Sequence, residues 1–302
     1  MISRVATFAL SDQMTAGALR SESAMANLQT QEASSLKSEF LAGYGADTQQ
    51  IVNLQVSVTR SQSYIDASTL ADSKVQVMYS AVGKMNDLIT NLRVQLSAAS
   101  TGSSTATASA ISSAQQMLQQ MASLMNSQYN GEFVFGGART STAPADLSTF
   151  ATGAGSVTTP DSSYYRGDGE IASVQVAADQ SVSYGVTADN PAFEQVMRVL
   201  KFVANSTTLS SSDITNALGL ASTALDATAT VQAKLGDSAT QMESAKSLQA
   251  DYQSFAQTLG TNLTGVDVAA ITAQMSAYNA QLTASFTAIS KIQGTSLASF
   301  LR

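Results

Sequence analysis

The stretch IVNLQVSVTRSQSYIDASTLADSKVQVMYSAVGKMNDLITNLRVQL, residues 51–96, decides the fold. Alternating steps of three and four from Ile51 land on Leu54, Val58, Ile65, Val75, Tyr79, Val82, Ile89 and Leu96, with Ser61, Ser68, Asp72, Asn86 and Arg93 completing the seam. A repeat averaging 3.5 residues, held over about six heptads, keeps one stripe on a partner helix along a rod, where a straight helix would drift off it. The predicted element is a long coiled-coil-like helix.

Downstream, Ser97 to Ala110 contains only Ser, Ala, Thr and Gly, and is predicted to interrupt the helix or let it turn. A shorter helix follows with Ile111, Leu118, Met121 and Met125 on one face, and Tyr129-Asn130-Gly131 reads as its stop. The three prolines, Pro144, Pro160 and Pro191, lie in the middle third, where glycines also cluster. Such punctuation marks turns. Glu132-Phe133-Val134-Phe135 reads as a strand, and Val182, Tyr184 and Val186 alternate as a half-buried strand does. After Pro191 the helical spacing returns through Phe193, Val196, Leu200 and Val203. Past a Ser/Thr-rich break it resumes through Ile214, Leu218, Ala221 and Leu225.

Both chain ends are also helical in pattern. Met14, Ala18, Met25 and Leu28 share a stripe near the start, and Val268, Ile271, Met275, Tyr278, Leu282, Phe286 and Ile289 form one near the end. Beyond Asp267 the only charged residues are Lys291 and Arg302. Helices with an apolar stripe and so little charge elsewhere are expected to find order in an assembly. The candidate assembly interface is therefore Met14, Met25, Leu28, Ile271, Met275, Tyr278, Leu282, Phe286, Ile289, Leu297 and Leu301. The expected fold is mainly α with a small β-rich insert: a long helical rod formed by both chain halves, with terminal coiled-coil helices. Its expected divisions are a terminal helical, polymerising domain (1–44 plus 261–302), a rod domain (45–130 plus 190–260) and a β-rich outer domain (131–189).

Composition narrows function. The 302 residues contain no His, Cys or Trp. The chain thus lacks the side chain that titrates near neutrality, the thiolate nucleophile and the common ligands of zinc. No catalytic residue, cofactor or metal is assigned, and an enzyme is not expected. A formal charge of −7 with scattered Lys and Arg argues against nucleic acid or an anionic membrane as partner. Asp12 interrupts the short apolar start before a signal-peptide core accumulates, so no cleaved signal is expected. A membrane-spanning run is not expected either.

Several motifs invite sharper readings. Arg166-Gly167-Asp168 spells an adhesive tripeptide, but Gly167 and Gly169 around Asp168 also describe a tight turn. Asp161, Asp168, Glu170 and Asp179 are read as solvated turn charges, since they form no calcium-loop pattern. Gly136-Gly137 lacks a nucleotide-binding spacing, and Met117, Met121 and Met125 are read as packing residues.

At the level of family, Leu282-Thr283-Ala284-Ser285-Phe286-Thr287-Ala288-Ile289-Ser290-Lys291-Ile292, closing in Ser296 to Leu301, resembles the carboxy-terminal helix of the flagellin superfamily. Asn130 to Gly137 is similar to that family's entry from helix into outer domain, Tyr164 to Glu170 to a turn inside it, and Val231 to Gly236 to a late helix. The resemblance runs over essentially the whole chain. Ser35 to Asp47 stands where the family usually carries a Gly-Lys-Arg stretch and a paired-Asp turn, a departure that favours the hook-associated junction branch over the main-filament flagellins. The resemblance implies a flagellin-like fold, with terminal helices as an inner layer, an antiparallel helical rod outside it and a small β-rich outer domain. It implies a structural subunit of the bacterial flagellum joining hook to filament, with main-filament flagellin as the alternative. It further implies an extracellular flagellar location reached through the flagellar type III apparatus. The implied partners are copies of the chain itself, hook-associated protein 1, flagellin and a cytoplasmic export chaperone.

Overall fold

The computed structural model describes the backbone of residues 2–150 and 156–300, and their side chains except at 2–8, 10, 149 and 293–300. The chain is mainly α. In order come α1 (Ile2–Ser34), a 3₁₀ segment (Leu41–Asp47), α2 (Thr48–Ala99), α3 (Ser104–Met125), the strands β1 (Gln128–Tyr129) and β2 (Glu132–Phe133), and a single-turn α4 (Leu147–Phe150). Strands β3 (Ser173–Ala177) and β4 (Gln180–Ser183), then α5 (Pro191–Ala204), α6 (Ser211–Thr264) and α7 (Val268–Phe300), complete it. Two compact units result, one formed by 1–59 with 253–302 and one by 60–252.

In the larger unit the predicted seam is the buried face of α2. Val75, Val82, Ile89 and Leu96 are fully or almost fully buried, as are Ser61 and Ser68. Tyr79 departs from it, being 42% exposed while the adjacent Met78 is buried. From Ala71 onward the buried face widens to take in Met78, Ala81, Met85 and Leu92. A seam of two positions per heptad serves one neighbour, and a wider stripe serves several. The partner along α2 is α6, which carries its own three-four repeat of buried positions through Ile214, Ala217, Ala221, Ala224, Thr228, Leu235, Met242 and Ala245. Asn86 Nδ2 donates to Gln232 Oε1 at 2.8 Å, and the Thr228 hydroxyl donates to Asn86 Oδ1. Gly236 lies against Tyr79 and Gly83 against Gln232. Advancing α2 residues thus meet receding α6 residues, and the pair is antiparallel, as expected.

The low-complexity stretch does break the helix. Helix α2 ends at Ala99, Gly102 takes φ +80°, and Ser103 caps α3 by accepting the Ala106 N–H. Helix α3 packs against α5. That helix starts at Pro191: the Asn190 side chain accepts the Ala192 N–H, and Pro191 sits where a missing N–H costs nothing. Phe193, Val196, Leu200 and Val203 are all buried.

One stop signal is corrected. Helix α3 ends at Met125, and Asn130-Gly131 is instead the two-residue turn joining β1 to β2, with φ of 50° and 82°. Two successive left-handed residues match the right-handed twist of a hairpin, which is why Asn-Gly occupies such turns. The predicted strand 132–135 is correspondingly short. Only Glu132 and Phe133 pair as strand; Val134 N–H still donates across to the Ser127 carbonyl at 3.1 Å, while the side chains of Val134 and Phe135 enter the core. The strand around Val182 ends at Ser183, pairing antiparallel with Ser173–Ala177.

The insert packs on the helices through one continuous buried cluster. Phe135 meets Phe193 edge-on at 5.9 Å between ring centroids, and Phe150 meets Tyr164 at 5.1 Å. The buried Tyr164 hydroxyl donates to the Ala188 carbonyl at 2.8 Å. The Asn126 carboxamide donates to the Ala145 carbonyl and accepts its N–H, closing the C-terminal end of α3 onto the insert.

Candidate assembly interface

In the smaller unit α1 packs against α7. The Thr272 hydroxyl near the start of α7 donates to Glu32 near the end of α1, so the two helices run antiparallel. The corner beyond them is stitched by backbone. Lys37 N–H donates to Thr264 O at 2.8 Å, Val266 N–H to Ser35 O at 3.2 Å, and Lys37 Nζ to Leu263 O at 2.8 Å. Ser35 adopts φ 56°, a left-handed turn that ends α1. Asp267 starts α7 by accepting the N–H groups of Ala269 and Ala270.

These contacts decide where the candidate residues lie. On α1, Ala18 and Ser21 are buried, and Met14, Met25 and Leu28 are half-buried on the same stripe. On α7, Ile271 and Leu282 are buried at 6% and 7% exposure, and Met275, Tyr278 and Ile289 are half-buried. A strict three-four count from Leu282 gives Ser285 and then Ile289, and Ser285 is the half-buried residue there. Phe286 steps off this seam and is 56% exposed. Leu297 and Leu301 lie outside the residues whose side chains are described.

The structure therefore sorts the stripe into two kinds of position. Ile271, Met275, Tyr278, Leu282 and Ile289 line the face of α7 whose neighbour is α1, within one chain. Phe286 faces outward. It has company in Leu19 on α1, 58% exposed, Val268 at 44%, and Phe40 at 74% in the loop before the 3₁₀ segment. Phe40 projects from a loop held firmly in place: the Ser38 hydroxyl bonds both the N–H and the carbonyl of Phe40, and Tyr44 donates to Ser38 O at 2.5 Å. Sequence reasoning missed Leu19 and Phe40, because an isolated apolar residue off the stripe carries no periodic signal.

Elsewhere the charged groups serve the fold. On α5, Glu194, Arg198 and Lys201 are buried at one-turn spacing. Glu194 Oε1 accepts the Asp161 N–H at 2.8 Å and lies 3.2 Å from Arg198 Nε. Lys201 Nζ pairs with Asp161 Oδ2 at 2.7 Å and sits 4.3 Å above the Phe150 ring. Burial alone would raise the Asp161 carboxyl, but hydrogen bonds from Lys201 and Ser163, with the Lys201 charge, hold it below the usual carboxylate range. The i, i+4, i+7 spacing of these three residues is a sequence signal for this cluster that the apolar count passed over.

Asp168 is likewise turned inward, its Oδ1 accepting the N–H groups of Ala138 and Glu170 while Arg166 reaches Asp146. The Tyr165 hydroxyl, which burial pushes up to about 12, donates to the Asp168 carbonyl. The tripeptide is a stapled turn and does not present its carboxylate. Among the described residues no three carboxylates gather where a metal ion could be held, and no helix is long and apolar enough to cross a membrane.

Residues 5–140 match the family model described as the bacterial flagellin N-terminal helical region. Among solved structures, a protein of Vibrio parahaemolyticus described as a flagellar hook-associated protein aligns with a TM-score of 0.60 at 13% identity, over 72% of this chain and 97% of that one. FlgL of Bacillus cereus aligns at 0.43 and 13% identity, over 70% and 96%. Flagellar hook-associated protein 3 of Legionella pneumophila aligns at 0.45 and 14% identity, over 72% and 97%. No curated protein matches the chain by sequence.

Proposed function

We propose, for a chain that over residues 5–140 matches the flagellin N-terminal helical region and whose fold is flagellin-like, that it is a structural subunit joining the flagellar hook to the filament. The observation that carries the reading is the smaller unit, in which the two ends of the chain, far apart in sequence, meet as one antiparallel helical pair with apolar residues left over on its outer side. Such a pair is a polymerising element: its inner seam holds the ends together, and its outer residues await neighbours. Self-assembly through these helices belongs to the proposal: of the candidate interface residues Phe286 is left for a neighbouring subunit, while Ile271, Met275, Tyr278, Leu282 and Ile289 form the seam that holds the pair together. So does the division into terminal, rod and outer domains at 1–44 plus 261–302, 45–130 plus 190–260, and 131–189.

A structural role fits the absence of His and Cys. The partners proposed are further copies of the chain, hook-associated protein 1 on the hook side, flagellin on the filament side, and an export chaperone before secretion through the flagellar type III apparatus.

Deletion of the gene tests the reading. A junction subunit leaves complete hooks without filaments and flagellin shed into the medium. Hooks without filaments and no flagellin in the medium would identify the chain as the filament protein and overturn the junction role.

A further inference from the structure

Asn130-Gly131, the hairpin turn between β1 and β2, is the only Asn-Gly in the sequence. The ten other asparagines precede a residue with a side chain, and Asn190 precedes Pro191, which has no amide proton to lose. Several are also held: Asn126 by Ala145 and Asn86 by Gln232 and Thr228. Asn130 and Gly131 are exposed, and a side chain built on Gly131 would meet no atom within 4 Å.

We infer that Asn130 is a site of spontaneous deamidation, with the Gly131 nitrogen as nucleophile and water as the only co-reactant. Loss of the Gly131 amide proton to hydroxide lets that nitrogen bond to Asn130 Cγ. The bond from Cγ to the side-chain nitrogen breaks, and the nitrogen leaves as ammonia after taking up a proton, giving a five-membered succinimide. Water then opens either ring carbonyl. One opening leaves aspartate in a normal peptide, and the other leaves an isoaspartate whose backbone runs through the side-chain carbon. No oxidant or reductant is involved. Glycine matters because it carries no Cβ to shield the attacking nitrogen and allows the backbone freedom that ring closure needs.

The turn gives this chemistry a consequence. Both products place a new carboxylate two residues from Glu132, whose own carboxylate pairs with Lys74 on α2 at 2.6 Å. The isoaspartate also adds a backbone carbon to a two-residue turn, which sets the register of Gln128 on Phe133 and Tyr129 on Glu132. Directly after β2, Val134 and Phe135 enter the core. Subunit age would thus be written as looseness in the hairpin that leads into the insert.

The test is incubation of the full-length folded protein at neutral and alkaline pH, followed by fragment mass spectrometry, beside the same protein unfolded in urea. The expected result is an amide-to-acid mass gain at Asn130 before any other asparagine in the folded sample, faster at alkaline pH, with isoaspartate among the products. Hydrogen exchange should rise across 128–133 in the aged fraction and stay unchanged in an Asn130→Gln control. A gain at Asn130 only in urea would show that the folded turn protects it, and an earlier gain at another asparagine would show that the site is misplaced. Either result overturns the inference.

Discussion

Replacing Phe286 by Ala or Asp separates assembly from folding. Its 56% exposure means that somewhat more than half of a Phe surface is left for a neighbour to cover. A Phe side chain buries on the order of 200 Å² in a full contact. About 110 Å² at ~25 cal/mol per Å² then gives roughly 2.5–3 kcal/mol, or about a hundredfold in affinity. Within the chain the residue lies off the α1 seam, so the monomer should lose no more than ~0.5 kcal/mol. Phe286→Ala is therefore expected to raise the critical concentration for polymerisation about a hundredfold, with the thermal transition of the monomer unchanged. Phe286→Asp should abolish polymerisation, because a neighbour would have to bury an unpaired carboxylate. Leu282→Asp is the contrast. That position is 7% exposed on the seam facing α1, so it should unfold the terminal pair in the monomer itself, read as lost helical circular dichroism. Polymerisation of Phe286→Ala at the wild-type critical concentration would refute the reasoning, since the outer face of α7 would then be free in the assembly.

Three further outcomes follow from the larger unit. Phe193→Ala removes a fully buried ring that meets Phe135 edge-on and should cost about 3–5 kcal/mol, lowering one cooperative transition of helices and insert together; an insert that melts separately would contradict the shared core. Because the Asp161 carboxyl is held low in the folded state, its contribution is present above the unfolded carboxylate pKa and lost as pH falls through the folded value. Asp161→Asn should flatten that part of the acid unfolding curve, and an unchanged curve would mean that the Lys201 pair contributes nothing. Gly137→Ala should destabilise by about 1–3 kcal/mol, measured by urea unfolding, because Gly137 holds φ 69° and a Cβ there would lie 2.7 Å from the Asp168 carbonyl.

Much of this fold is legible in sequence, because long helices write their packing into a repeat. The seam of α2 can be counted residue by residue, and the caps at Ser103, Asn190 and Asp267 follow ordinary capping chemistry. Short elements are harder. Asn130-Gly131 suits both a helix stop and a hairpin turn, and only its pairing decides between them. On α7 the repeat locates the stripe but not its register: stepping four instead of three after Leu282 places Phe286 on the seam, where the structure places Ser285. Buried charge was missed for another reason: Asp161 is read as a solvated turn charge, and only the fold carries it from distant sequence to Lys201 and Glu194 on α5.

The most direct test of the central claim is where the protein sits on an intact flagellum. Gold-labelled antibody against residues 137–189, applied to native flagella under the electron microscope, should mark one narrow band at the distal end of the hook and leave the filament bare. Label along the whole filament would contradict the junction account.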